Sequence, residues 1–501
     1  MNNKEQPVKL TNMSTNIVKT LKPQHLLKNL YTEKIQKFPR DVNYSNFYGQ
    51  SNTSNRIRDF PRSIYLVEYK QRLTQLVQSH HRDLKVANYE FFRVGHLIKL
   101  SVITQFFPPD YAATGQLIDE LVKHLEQQGV DVEVFTSQPG YAFQTSCAPA
   151  VEQSGRVKIK RSRTTQLCPQ RIRGKAINGI LFTLRAALYL LNAARHRNVV
   201  LLTTAPPFLP ILGYLAHVLF GLSYVCVLYD LYPDIAIALD VIPKHHLLAQ
   251  FWRLINRQIL RKAKGIVVLS PAMKRQVIAS CPEVADKISV IHNWADPDSI
   301  LPIAKEDNWF ARKYNLVNKF TVLYSGNMGR CHDIHTILNA AKYLQKEPIQ
   351  FVCIGGGARR EKLIEEVNRL GLQNFLFLPY QEKYVLPYSL TACDLSLVSV
   401  DAGMESLVAP SKLYPALATG RPVAVICPKH SYLRQLIADA NCGDTFENAD
   451  SYELAEFIYR LSGDRKLAEG MGQSARQYLQ SYFTPKVISR QYFEVLLRAV
   501  M

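Results

Sequence analysis

Gly403-Met404-Glu405-Ser406-Leu407-Val408-Ala409-Pro410-Ser411-Lys412-Leu413-Tyr414-Pro415-Ala416-Leu417-Ala418-Thr419-Gly420-Arg421-Pro422-Val423 is the stretch that decides the fold. Before it, Cys393 to Val400 is a short β-rich apolar run, and after it Val423 to Cys427 reads as a second buried strand. Between them, Lys412 to Thr419 is predicted to be a helix of Leu, Ala and Tyr, stopped by Gly420 and Pro422. The loop entering that helix then lies at the carboxyl end of a parallel strand, where ligands bind in open α/β sheets. A helix start offers unpaired N–H groups and a partial positive charge, and Lys412 adds a full one. That loop suits a phosphate. The plainer alternative is an ordinary βαβ connection carrying a chance lysine.

Working outward, the same plan recurs. Phe320-Thr321-Val322-Leu323-Tyr324-Ser325 runs into Gly326-Asn327-Met328-Gly329-Arg330, and Ile349 to Ile354 runs into Gly355-Gly356-Gly357, with a helix expected from Ala358 to Leu370. Phe375 to Tyr380 is the next strand, so several strand ends converge on one edge with the Pro410–Lys412 loop. Glycines there admit a ligand to the backbone, and Arg330 with Lys412 can hold a diphosphate. A similar series starts earlier, with strand Leu97–Thr104, helix Ala113–Gln127 ended by Gly129, and strand Val130–Thr136. It has no GxGxxG, which speaks against a dinucleotide site. Further strands end in Asp230-Leu231-Tyr232-Pro233-Asp234, in Ser270-Pro271 and in His292-Asn293-Trp294. Ala205 to Leu228 is apolar enough in count to span a bilayer, but Pro206, Pro207, Pro210, Gly213 and Gly221 divide it into turn, helix, turn and strand. Asp296-Pro297-Asp298 matches a metal-binding DxD pattern, yet sits in a polar segment that reads as a hinge.

At 501 residues, 47% hydrophobic and 20% charged, the chain is globular and too long for one core. Its nine cysteines are scattered, never form CxxC, and read as small core residues of a reducing compartment. No His/Cys/carboxylate cluster has ligand spacing, so neither a metal nor a cofactor is expected. The formal charge of +20 is uneven: residues 1–100 hold 17 Lys and Arg against 7 Asp and Glu. From Gln153 to Tyr229 there are 11 bases and no acid. No nucleic-acid-binding motif accompanies this field, so an anionic membrane surface is the expected partner. Within it, Arg156, Lys158, Lys160, Arg161, Arg163, Arg171, Arg173 and Lys175 precede a predicted amphipathic helix, Lys175–Asn192. Its stripe is Ile177, Ile180, Leu181, Leu184, Leu188 and Leu191. That helix either covers the sheet or lies on lipid headgroups. Residues 1 to about 55 read as a basic arm without a signal peptide, and Pro61–Phe92 carries a helical pattern without a motif.

The order and spacing of these motifs resemble glycosyltransferase family 4 with its GT-B fold, in the branch of bacterial exopolysaccharide and O-antigen transferases. The residues that carry the resemblance are Phe106-Phe107-Pro108-Pro109 with Gly115, Asp230 to Asp234, Leu269 to Met273, His292 to Trp294, Tyr324 to Gly329, Gly355 to Gly357, Ala409 to Tyr414 and Gly420 to Val423. It implies an α/β chain of two Rossmann-like domains facing each other across a cleft, plus a basic N-terminal extension. The divisions are 1–95 for the extension, 96–295 for an acceptor domain, 296–480 for a donor domain, and 481–501 for a helix packing back on the first domain. The implied activity is retaining, metal-independent transfer from a nucleotide sugar to a glycan or lipid-linked acceptor, and the basic field, independently of the resemblance, adds the expectation of a cytoplasmic protein lying peripherally at the inner face of the membrane. Arg330 and Lys412 would take the phosphates, and Gly355, Gly356 and Tyr380 would lie near base and ribose. Glu405 would lie near the sugar, Gly115 across the cleft and Asp230 on the acceptor side. Gly326, Asn327, Met328, Ser411 and Leu413 would line the donor cradle. Three positions depart from the family pattern. Pro415 stands where a second glutamate is usual, the first glutamate aligns near Leu407 with Glu405 as its substitute, and His332 stands in place of a lysine. A sugar-nucleotide 2-epimerase and a non-catalytic membrane-surface scaffold are the alternatives.

Overall fold

The computed structural model describes residues 94–110, 112–139, 148–162, 172–193 and 196–501. The expected basic arm, the Pro61–Phe92 pattern, Arg163 and Arg171 lie outside these residues, as do the side chains of Arg173 and Lys175.

The first series comprises β1 Lys99–Ile103, α1 Ala113–Gln127, β2 Asp131–Ser137, β3 Val151–Ser154, β4 Val157–Ser162, α2 Ile172–Ala193 and β5 Val199–Thr203. It continues with α3 Ile211–Phe220, β6 Ser223–Leu228, α4 Asp234–Ala238, α5 Leu247–Lys262, β7 Gly265–Val268, α6 Pro271–Ser280 and β8 Ile288–Val290. The strand order is β3-β4-β2-β1-β5-β6-β7-β8, parallel except where β3 pairs antiparallel with β4. Buried on both faces, its central strands are uniformly apolar, as in Val199-Val200-Leu201-Leu202. The apolar run once long enough to cross a bilayer is divided as its Pro and Gly residues demand. It becomes a turn, α3 ending at left-handed Gly221, and β6. No helix among the described residues is long and apolar enough to cross a membrane.

The second series comprises α7 Trp309–Lys313, β9 Phe320–Ser325, α8 His335–Tyr343, β10 Ile349–Ile354, α9 Arg360–Arg369, β11 Phe375–Leu378 and α10 Leu386–Thr391. It continues with β12 Leu395–Ser399, α11 Leu413–Ala418, β13 Val423–Ile426, α12 Tyr432–Ala440, β14 Gly443–Phe446, α13 Ser451–Gly463, α14 Arg465–Tyr482 and α15 Pro485–Val500. Its six parallel strands run β11-β10-β9-β12-β13-β14, the doubly wound Rossmann order. The order reverses between β9 and β12, and the crevice outside their carboxyl ends is the expected ligand position. The core beneath that edge packs Val322, Tyr324, Phe351 and Leu397 against Ile337, Leu338 and Ile458.

The two sheets are joined through a pinned linker. Buried Trp294 donates from Nε1 to Glu120 Oε2 of α1 at 2.9 Å. Arg476 of α14 donates to the Pro297 and Ile300 carbonyls at 2.8 and 2.7 Å. Asp296, of the DxD match, spends one carboxylate oxygen on the Asp298 N–H at 2.9 Å, as a turn residue does. Helix α15 crosses back to the first sheet, packing on α1, β6 and β7.

Candidate active site

Lys412 is the residue around which the crevice is built. It caps α11, which is only six residues long, so the side chain rather than the helix end supplies the positive charge. Gly326, at φ +123°, terminates β9 beneath it. A methyl group there would lie 3.0 Å from Lys412 Cε, so glycine is what lets the lysine lie along the strand end. The ammonium sits 5.3 Å from the Tyr324 ring centroid and 3.1 Å from His332 Nε2. Burial in this setting pushes the Lys412 pKa down to about 8. Burial, then the neighbouring Lys412, pushes His332 down to about 3. The ring of His332 is therefore neutral at physiological pH, with Nδ1 accepting the Gly329 N–H at 3.1 Å.

The glycine loops close tightly around this point. The Met328 N–H donates to the Gly356 carbonyl at 2.6 Å, and a methyl group on Gly355 would meet the Gly326 carbonyl oxygen at 2.3 Å. Tyr380 lies on Gly356, where a methyl group would be 3.0 Å from the ring. Met328 and Leu413 have buried side chains, so only their backbones can line a ligand. Asn327 and Ser411 are half-buried at the crevice. Two residues not singled out from sequence also belong here. Arg359 donates to Asp401 Oδ2 at 2.7 Å and to the His332 carbonyl, bracing the loop after β9. The pair Arg359-Arg360, one residue past a glycine loop, was the signal available for it.

The remaining expected residues fall at the seam between the sheets. Asp230 forms an isolated antiparallel bridge with Val408, and the Leu231 N–H donates to the Leu407 carbonyl at 3.2 Å. The loop bearing Glu405 is thus stitched to the end of β6. Burial there pushes the Asp230 carboxyl up to about 6. Arg330 is exposed and donates to the Leu239 carbonyl just past α4, so the structure does not bring it together with Lys412. Glu405 is buried, with Oε1 2.5 Å from His430 Nε2 and Oε2 without a hydrogen-bond partner. Gly115 packs on the Phe106–Phe107 backbone, where a methyl group would come within 2.9 Å, so its glycine serves the close approach of α1. Pro415 is the third residue of α11, in the first turn, where the missing N–H leaves no intrahelical bond broken.

Comparison with known proteins fits this arrangement. The sequence profile described as a glycosyl transferase 4-like domain matches residues 113–294, and that of glycosyl transferases group 1 matches residues 306–478. The chain belongs to glycosyltransferase family 4. This transferase is 24% identical over 412 residues to the probable glycosyltransferase WbjE of Pseudomonas aeruginosa, covering 81% of this chain and 99% of that one. It is 25% identical over 355 residues to the putative colanic acid biosynthesis glycosyl transferase WcaI of Escherichia coli K12, covering 68% and 86%. Among solved structures it superposes on Anabaena HepE in complex with UDP-glucose with a TM-score of 0.57 at 17% identity, covering 80% of this chain and 99% of that one. The transferase has the GT-B fold expected of its motifs.

Proposed function

We propose that this glycosyltransferase moves a sugar, with retention of anomeric configuration and without a metal, from a nucleotide-sugar donor to a glycan or lipid-linked acceptor of cell-surface polysaccharide. We further propose that it works in the cytoplasm, peripherally at the inner face of the membrane. The observation that carries the reading is Lys412 lying along Gly326 at the switch point between β9 and β12. Cleaving the sugar–phosphate bond leaves negative charge on the diphosphate, and a preorganised cation at that point stabilises it. Arg330 completes the pair of cations once its guanidinium leaves the Leu239 carbonyl. Retention follows if the departing phosphate takes the acceptor proton on the same face of the sugar, with Asp230 on the acceptor side. The WbjE and WcaI likenesses support the polysaccharide pathway, and the UDP-glucose complex of HepE makes a uridine diphosphate sugar the first donor to try.

A panel of nucleotide sugars screened by thermal shift tests the reading, because a ligand of the native state raises its melting temperature. One nucleotide series should shift the parent and fail on Lys412→Ala, which removes a charge-assisted contact worth roughly 1.5–3 kcal/mol. With the shifting donor and an acceptor extract, transfer should persist in excess EDTA. Turnover without an acceptor would favour an epimerase, and no shift by any nucleotide would favour a scaffold.

A further inference from the structure

The first sheet steps one way through β1-α1-β2 and the other way through β4-α2-β5, β5-α3-β6 and β6-α5-β7. Right-handed crossovers therefore place α1 on one face and α2, α3 and α5 on the other. Helix α15 seals the α1 face, while α3 packs between α2 and α5 on the opposite one. Those three helices bury one side against the sheet. Phe182, Ala186 and Leu190 of α2 are buried, with Phe182 stacked on Phe135 of β2 at 5.8 Å. Their outer side is also apolar. Leu184 and Leu188 of α2, Leu219 of α3, and Leu247, Phe251 and Leu254 of α5 are 59–79% exposed. Leu247, Phe251 and Leu254 recur at i, i+4 and i+7, which makes one stripe.

An apolar face continuous over three neighbouring helices exceeds the scattered exposed leucines of a soluble surface. Its charge says what it meets. The three helices carry seven Lys or Arg and no Asp or Glu. On α5, Arg253 pairs with Asp234, and Arg257 and Arg261 with Glu283, while Lys244, Lys262 and Lys264 are exposed at its two ends. Apolar side chains with basic residues in excess around them fit an anionic bilayer surface, with the helices lying in its plane.

By contrast, three residues of the basic run expected from sequence to share this contact are engaged elsewhere. Arg161 is buried on Glu152 and on the Pro108 and Pro149 carbonyls, Lys160 lies 3.0 Å from Glu133, and Arg156 donates to the Gly129 carbonyl.

We propose that the outer face of α2, α3 and α5 docks this protein on bilayers rich in anionic phospholipid. The proposal rests on the membrane-surface reading above, keeps α2 in the contact and replaces the basic run before it by α3 and α5. The full chain is floated with phosphatidylcholine vesicles with and without phosphatidylglycerol. The parent should float with the anionic vesicles only, and Leu184→Gln/Leu188→Gln/Leu254→Gln should partition about tenfold less or weaker still. An unchanged UDP-induced thermal shift in that variant shows that it is folded and separates this proposal from the donor-site reading. In a second variant, Leu254→Trp, the introduced indole should shift its emission to the blue on anionic vesicles. Undiminished flotation of the triple variant, equal flotation on neutral vesicles, or an indole indifferent to vesicles overturns the proposal. So does light scattering that shows a dimer dissolved by the triple substitution, which would assign the face to a second copy.

Discussion

Binding of a diphosphate should draw a proton onto Lys412, and the geometry fixes the sign. Nδ1 of His332 accepts the Gly329 N–H, so the ring proton belongs on Nε2, which faces Lys412 Nζ at 3.1 Å. A protonated lysine has no lone pair to accept it, whereas the free amine does. The empty site therefore destabilises the charged form, in line with a Lys412 pKa of about 8 against an ordinary 10.5, so the lysine is mostly a cation at pH 7 and mostly neutral above about pH 8. The other charged or titratable groups near the pair are the Tyr324 ring, Cys331 and Arg359, and burial outweighs them all. For a lysine with a depressed pKa, the associated stability of the free enzyme is present above pH 10.5 and lost as pH falls through about 8. A bound diphosphate reverses this by restoring an ordinary value. The gap corresponds to at most about 3 kcal/mol. The UDP dissociation constant should then rise roughly twentyfold between pH 7.5 and 9.5, with about 0.9 proton taken up per UDP at pH 9. Isothermal titration in two buffers of different ionisation enthalpy measures both. Lys412→Arg keeps its charge throughout and should be nearly flat over the same range. Any titration of UDP itself appears in both proteins and divides out. Equal pH profiles for parent and Lys412→Arg, or no proton uptake at pH 9, would refute the reasoning.

Two other substitutions probe the surrounding structure. Gly357 sits at φ +125°, where a methyl group would lie 2.4 Å from Asn327 Oδ1 and 2.5 Å from the Met328 carbonyl oxygen. Gly357→Ala should therefore cost about 1–3 kcal/mol by urea unfolding and weaken UDP binding. The Asp230 carboxyl, raised to about 6 from 3.8, contributes stability that is present below pH 3.8 and lost as pH rises through about 6. Asp230→Asn should remove that dependence, so the variant gains up to about 3 kcal/mol over the parent at pH 7.5. A stability difference that is flat from pH 4 to 7.5 would contradict the half-buried placement of Asp230 in the seam.

How much of this was legible in the sequence varies with the kind of contact. The run Ile349 to Ile354, apolar but for Gln350, reads as a strand covered on both faces, and the helix Ala113–Gln127 carried its own stop in Gly129. Gly326 and Lys412 each lay at a strand end, and the sheet order then brought them together. The contacts of Glu405 with His430 and of Asp230 with Val408 were invisible, because no local pattern encodes which loops meet across a seam. The stripe on α2 was found, but not which way it faced. Phe182, Ala186 and Leu190 make a second apolar side, so periodicity alone could not say which side the sheet would take. The alternation of apolar and basic residues from Val157 marked β4, but its partner β3 was missed because Val151-Glu152-Gln153-Ser154 is short, polar and largely exposed, and only the turn at Gly155, φ +54°, leaves a mark.

The departures from the family pattern also make physical sense together. A lysine at position 332 would have set a second ammonium beside Lys412 in a half-buried crevice, where like charges repel strongly. A neutral histidine instead sets an uncharged ring against Lys412 and leaves the phosphates a single buried cation to meet. Pro415 rigidifies the first turn of the short helix that presents Lys412, at a position where a proline costs no helical hydrogen bond. With one preorganised lysine doing the work of two, donor affinity in this protein should depend on Lys412 more steeply than in a relative that has a lysine at position 332. Restoring that lysine by His332→Lys tests the point directly. UDP should bind more tightly to the variant at pH 7.5 while the free enzyme becomes less stable, and a variant as stable as the parent would show that the two groups do not share the crevice.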